Sequence, residues 1–188
     1  MTQKILFFST IFILCISSLS GAGAPPEKGE TMPDINLPMP EDEAVQKYLG
    51  LSGKGHFTIP DIDAEVVIIE IFSMYCPHCQ SAAETVNKFY ELMENNAGLK
   101  DKMKLIGIGV GNTAFEVNVF RENYNIPFPL FEDTDFVIHK KLGEVLTPYF
   151  IGIKKYGDGS SKVFYSELGG FDDPEAFLKS MLELSELK

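Results

Sequence analysis

One succession of residues constrains this chain more than any other. Val66-Val67-Ile68-Ile69-Glu70-Ile71-Phe72 is followed, after Ser73-Met74-Tyr75, by Cys76-Pro77-His78-Cys79. The first stretch is a near-continuous β-branched run, as expected of a strand buried on both faces of a sheet. Behind the cysteines, Ala83, Val86, Tyr90, Met93 and Ala97 recur at helical spacing, and Gly98 marks a stop. The cysteine pair is therefore expected where a buried strand gives way to the start of a helix.

The flanking pattern extends that reading. Glu41–Leu49 suits a short helix ended by Gly50, and Gly53, Gly55 and Pro60 mark a turn-rich passage. Lys104–Val110 reads as a strand, Thr113–Tyr124 as a helix and Ile126–Phe131 as a short extended piece. A third helix is expected over Asp135–Leu142, ended by Gly143. Tyr149–Lys154 and Lys162–Leu168 form a hairpin pattern around Tyr156-Gly157-Asp158-Gly159, and Pro174–Leu187 a closing amphipathic helix. Alternation of this kind predicts an α/β fold, a central mixed sheet flanked by helices on both faces.

The first 24 residues do not belong to that domain. Lys4 precedes an apolar run from Ile5 to Leu19, and Ser20-Gly21-Ala22-Gly23-Ala24 supplies small residues for cleavage. This is the layout of a secretory signal, or of an N-terminal anchor if it stays uncleaved. Its removal takes away Cys15 and leaves two cysteines, three positions apart. It also takes away Lys4 and no acid, so the net charge of −11 becomes more negative still. Such a body repels phosphate backbones and anionic lipid surfaces, which argues against nucleic acid as a partner. Residues 25–34, rich in Pro, Gly and charge, read as a flexible leader, and 35–188 as the folded domain. Hydrophobic residues at 45% and charged residues at 23% suit a globular core.

The chemistry follows from where the cysteines sit. A thiol attacks a disulfide as its thiolate, and the free N–H groups and dipole of a helix start stabilise negative sulfur. Cys76 is thus the attacking thiol and Cys79, one turn further in, the resolving one. Pro77 fits the first helical position, where an N–H is not needed. His78 can bring positive charge or a hydrogen bond towards the Cys76 sulfur. The competing readings are weaker. A structural disulfide closing so short a loop adds little stability. Zinc needs two further ligands, which His56 and His139 do not supply at a suitable spacing. Covalent haem attachment needs His where Gln80 stands. Gly107-Ile108-Gly109-Val110-Gly111-Asn112 lacks the spacing of a dinucleotide loop and reads as a strand end with a turn. Met32 and Met39 are ordinary leader and core methionines rather than copper ligands. Neither a metal nor a cofactor is expected beyond the Cys76–Cys79 disulfide itself.

Glu70 to Cys79 resembles the active-site segment of thioredoxin-fold oxidoreductases, and its Cys-Pro-His-Cys form is similar to that of DsbA-type oxidases. The resemblance implies that Glu70, six residues before the first Cys, relays the proton of Cys79. Leu146-Thr147-Pro148-Tyr149-Phe150-Ile151 resembles the cis-proline segment of the same fold. It implies that Pro148 is cis, faces the cysteine pair, and leaves Thr147 to pair with substrate backbone. The 72 residues from Cys76 to Pro148 exceed the thioredoxin stretch but cannot hold the helical domain of DsbA. A helix–strand insertion around Thr113–Leu130 resembles the TlpA/ResA-like redoxins, as do Met32–Leu37 and Phe131-Glu132-Asp133. That group often carries Trp just before the first Cys, where Tyr75 stands here as a candidate substrate contact. The resemblance implies an exported, periplasmic or otherwise extracytoplasmic oxidoreductase that exchanges disulfides with proteins and draws on a membrane thiol partner. A reductase is the leading expectation. A DsbA-like oxidase or isomerase is the runner-up, with a peroxiredoxin relative and a copper-handling protein behind it.

Overall fold

The structure, a computed structural model, describes residues 24–187. The expected signal segment with Cys15 lies outside the described residues but for Ala24. In chain order the elements are β1 (Asn36–Pro38), α1 (Glu43–Leu49), β2 (His56–Thr58), a short 3-10 turn, β3 (Val66–Phe72), α2 (Pro77–Glu94) and β4 (Met103–Val110). They continue with α3 (Ala114–Tyr124), β5 (Leu130–Asp133), α4 (Val137–Lys141), β6 (Tyr149–Lys155), β7 (Ser161–Leu168) and α5 (Pro174–Ser185).

The five-stranded sheet runs in the order β5-β4-β3-β6-β7. β3, β4 and β5 are mutually parallel, while β6 is antiparallel to β3 and β7 to β6. The α/β fold with a mixed central sheet expected from the sequence is thus the observed one. β3 sits in the middle, and all seven of its residues are buried. Side chains alternate across it, which divides the core in two. Val67, Ile69 and Ile71 face a layer containing Leu49 of α1 and Ile138 of α4. Val66, Ile68 and Phe72 face α2, α3 and α5 through Val86, Phe120 and Phe177. This topology brings the ends of β3, β4, β5 and β7 and the beginning of β6 to one edge of the sheet.

Gly107 explains part of the glycine-rich run. A Cβ there would lie 2.4 Å from Leu130 Cδ2 and 3.3 Å from the Phe72 ring. The missing side chain lets Phe72 stack on Phe120 at 4.7 Å, so the glycine serves packing and not a phosphate.

Several boundaries differ from the sequence reading. α2 stops at Glu94 with Asn95 as its C-cap, short of Gly98. The Asn96 side chain accepts the Gly98 N–H at 2.9 Å, and this local bond competes with further helix. Phe89, not Tyr90, fills the core on that face. The extended piece becomes a strand only from Leu130, because Pro127 and Pro129 have no N–H to give a ladder. The turn-rich passage contains β2, which pairs with β1 in a separate two-stranded sheet. Residues 25–34 also differ from a flexible leader. Gly29 N–H donates to Val163 O at 2.8 Å and Val163 N–H to Glu30 O at 2.9 Å, while Met32 is buried. The segment covers the free edge of β7, so the packed chain begins ahead of residue 35.

Candidate active site

The loop after β3 is held before the first cysteine is reached. Asn112, fully buried, accepts the Met74 N–H on its Oδ1 at 2.8 Å. Gln80 Nε2 donates to the Met74 carbonyl at 2.7 Å. The Cys76 N–H closes the turn onto Ser73 O at 3.0 Å. Both polar groups of one peptide residue are therefore clamped by side chains from two other elements, which leaves Cys76 a defined position.

Cys76 is the N-cap of α2, with extended backbone and Pro77 in the first turn. Its sulfur accepts the Cys79 N–H at 3.3 Å. The Cys76 Sγ also lies 3.2 Å from the Thr147 carbonyl oxygen, to which the thiol donates. The Thr147–Pro148 peptide bond is cis, and Pro148 leads into β6 beside β3. Both cysteines are free thiols, Cys76 half-buried and Cys79 fully buried.

Their surroundings push the two thiols apart. Burial raises the Cys76 value, but hydrogen bonds from the Thr147 and Cys79 side chains and from the N–H groups of Cys79 and His78 outweigh it and hold it below an ordinary cysteine. The thiol's contact with the Thr147 carbonyl favours the protonated form, yet it is a single weak bond against several that favour the anion. Cys79 is driven the opposite way, first by burial and then by the neighbouring sulfur of Cys76. Glu70 is buried on the face of β3 that carries α2. Burial first, and the negative sulfur of Cys76 second, push its carboxyl up to about 8. The arrangement offers an ionisable outer thiol, a protonated inner thiol, and a carboxyl able to exchange a proton near neutrality.

The remaining predicted residues take more peripheral positions. The His78 side chain is exposed, and its contribution to Cys76 is its backbone N–H. Tyr75 is exposed beside Cys76, its hydroxyl donating to Glu116 Oε1. Glu116 also accepts the Thr113 N–H at 2.7 Å, completing a capping box at the start of α3. The Thr-x-x-Glu spacing at 113–116 was a legible sign of that cap. Asn112, Gln80 and Glu116 have no sequence signal tying them to residues 73–76, because those contacts join separate segments of the chain. Among the described residues no group of three His, Cys, Asp or Glu side chains converges as a metal site would.

Comparison with known proteins bears on the family and the fold. A model of the AhpC/TSA family matches residues 29–158. The structure is similar to the thioredoxin domain of a thiol-disulfide oxidoreductase from Bacteroides vulgatus, with TM-score 0.60 and 14% identity over 82% of this chain and 98% of that one. A thiol:disulfide interchange protein from Bacteroides sp. gives TM-score 0.60 and 13% identity over 86% and 91%. A secreted Mycobacterium tuberculosis disulfide oxidoreductase, homologous to E. coli DsbE, gives 0.52 and 15% over 69% and 90%. No curated protein matches the sequence. At these identities the likeness speaks for the shared fold.

Proposed function

The chain belongs to the AhpC/TSA family, and from that footing we propose that it is an extracytoplasmic thiol–disulfide oxidoreductase that exchanges disulfides with protein substrates. The observation that carries this reading is the split between the two thiols, Cys76 held ionisable at a helix start and Cys79 protonated beneath it with Glu70 behind.

In the reductive direction the Cys76 thiolate attacks one sulfur of a substrate disulfide. A Cys76–substrate S–S bond forms, the substrate S–S bond breaks, and the leaving sulfur departs as a thiolate that takes a proton. Cys79 then gives its proton towards Glu70 and attacks Cys76. The mixed disulfide breaks, Cys76–Cys79 forms, and the second substrate sulfur leaves. The substrate gains two electrons from the cysteine pair and two protons, one given up by Cys79 through Glu70 and one from solvent, which had taken the Cys76 proton when its thiolate formed. The Thr147 carbonyl lies 3.2 Å from the attacking sulfur, ahead of the cis bond to Pro148, which supports a role for these two residues in holding substrate backbone. No cofactor beyond the disulfide is needed. Export follows from the signal-like first 24 residues, and a membrane thiol carrier is the donor such a reductase requires outside the cytoplasm.

The lowered Cys76 value favours a second reading, because a stabilised thiolate stabilises the reduced protein and makes its disulfide more oxidising. Equilibration with glutathione buffers separates the two. A reductase gives a potential near about −270 mV or lower and an oxidase one near about −120 mV. Reduction of insulin by wild type, its loss in Cys76→Ser, and a trapped mixed disulfide in Cys79→Ser are the expected results. Full activity in Cys76→Ser would defeat the proposal, and rapid thiol-dependent peroxide consumption would point to a peroxiredoxin instead.

A further inference from the structure

Thr147 stands outside the sheet, so its place against Cys76 depends on how the chain enters β6. That strand begins only at Tyr149, and the residues before it arrive from the end of α4. Two bonds bracket Thr147. After it, the Gly169 N–H donates to the Pro148 carbonyl at 2.9 Å. Before it, His139 Nε2 lies 2.8 Å from the Val145 carbonyl oxygen. A carbonyl only accepts, so the imidazole carries a proton on Nε2 and donates it.

His139 is itself held by its backbone. The buried Asp133 carboxylate, at the end of β5, accepts the His139 N–H at 2.8 Å and the Ile138 N–H at 3.0 Å. The Asp133 carbonyl accepts the Gly111 N–H at 3.0 Å, which ties the same residue to the end of β4. The His139 carbonyl accepts the N–H groups of Leu142 at 3.1 Å and Glu144 at 3.0 Å. In that wrap Gly143 (φ 78) and Glu144 (φ 54) take left-handed backbone, which is uncommon for glutamate and persists where the surroundings impose it. Burial of the Val145 side chain fixes where that residue sits, but not the direction its peptide group points. The imidazole does that. Leu146, next in the chain, is 72% exposed and has little packing to steer it. A path of contacts thus runs from the sheet through Asp133, His139 and Val145 to Thr147, whose carbonyl lies 3.2 Å from the Cys76 sulfur.

We propose that His139 is a positioning residue for disulfide exchange: its bond to Val145 sets the peptide group ahead of Leu146 and Thr147, and so keeps the Thr147 backbone in register with a polypeptide lying across Cys76. The inference rests on the oxidoreductase reading above and deepens it. His139 touches no reacting atom. Its loss should therefore slow substrates that have a backbone to align, and spare small disulfides that have none.

The test compares three variants. His139→Gln keeps an N–H donor on a side chain of similar reach, His139→Asn shortens that reach by one carbon, and His139→Leu removes the donor. Each is made in the full chain with Cys79→Ser, where the exchange stops at its first step. The Cys76 thiolate attacks a disulfide, a Cys76–S bond to one half forms, the original S–S bond breaks, and the other half leaves as a thiolate that takes a proton from water. Two disulfides are supplied in excess, a short symmetrical peptide disulfide and bis(2-hydroxyethyl) disulfide, which has no peptide group. Mass spectrometry follows the mixed disulfide. Relative to Cys79→Ser alone, the Leu and Asn variants should react about tenfold more slowly with the peptide and within about twofold of unchanged with the small disulfide. The Gln variant should recover the peptide rate to within about threefold. Equal losses on both disulfides, an unchanged peptide rate in Leu and Asn, or a Gln variant as slow as Leu each overturn the inference and leave the oxidoreductase reading standing. Should the Leu variant fail to fold, Asn against Gln decides by the same criteria. If none of the three folds, the ring serves the fold and the inference falls. No mixed disulfide from either compound with His139 intact refutes the oxidoreductase reading itself, and the inference with it.

Discussion

Glu70→Gln puts the buried carboxyl to a quantitative test. Burial and the nearby Cys76 sulfur hold Glu70 at about 8, against 4.5 for an unhindered glutamate. The folded-state value is the higher one, so the folded chain keeps a proton that the unfolded chain has released. Stability linked to this group is complete below about pH 4.5 and is lost as pH rises through about 8. At about 1.4 kcal/mol per pH unit, the gap corresponds to a loss on the order of 5 kcal/mol. The side chain is only 3% exposed, so solvent screening does not reduce it much. Gln stays neutral at every pH and has nearly the shape of a protonated Glu. Urea unfolding of the reduced proteins should therefore give similar stabilities at pH 5. At pH 9 the variant should be the more stable by roughly 3–5 kcal/mol. A wild-type minus variant difference that stays constant from pH 5 to pH 9 would refute the assignment of a raised carboxyl.

Glu70→Gln should also slow release of substrate from the mixed disulfide by roughly a hundredfold near neutral pH, read by stopped-flow, because Cys79 loses its proton acceptor. Alkylation of Cys76 by iodoacetamide should show a midpoint below the value of about 8.5 for free cysteine, while Cys79 stays unreactive across the same range. Asn112→Ala leaves the Met74 N–H without its acceptor and should cost about 1–3 kcal/mol in denaturant titration, with the Cys76 alkylation midpoint moving up as the loop loosens. Gly111→Ala puts a Cβ 2.4 Å from the Phe136 ring at a left-handed residue and should destabilise by about 1–3 kcal/mol.

The central strand, the helix behind the cysteines and the hairpin were legible because each rests on local periodicity or turn chemistry. Val66–Phe72 could be read from its own composition, and the observed strand has the same limits. Short elements held mainly by distant partners were not. β1 and β2 have three residues each, too few for any period, and owe their pairing to one another. Residues 25–34 carry the composition of a leader and dock because β7 leaves an edge to cover.

Within the candidate site, the order of residues along the chain was enough to put a cysteine pair at the mouth of a helix, since strand, turn and helix adjoin there. Composition alone also settled the acidic character of the molecule. It took the folded sheet to bring Asn112 to Met74, Thr147 to Cys76 and Glu116 to Tyr75, residues 38, 71 and 41 positions apart. The same is true of proton affinity: burial raises Glu70 and Cys79, and burial depends on which face of a strand or helix meets another. Short-range patterns encode where a reactive group stands in the chain, whereas its reactivity depends on groups that only long-range packing brings within a few ångströms.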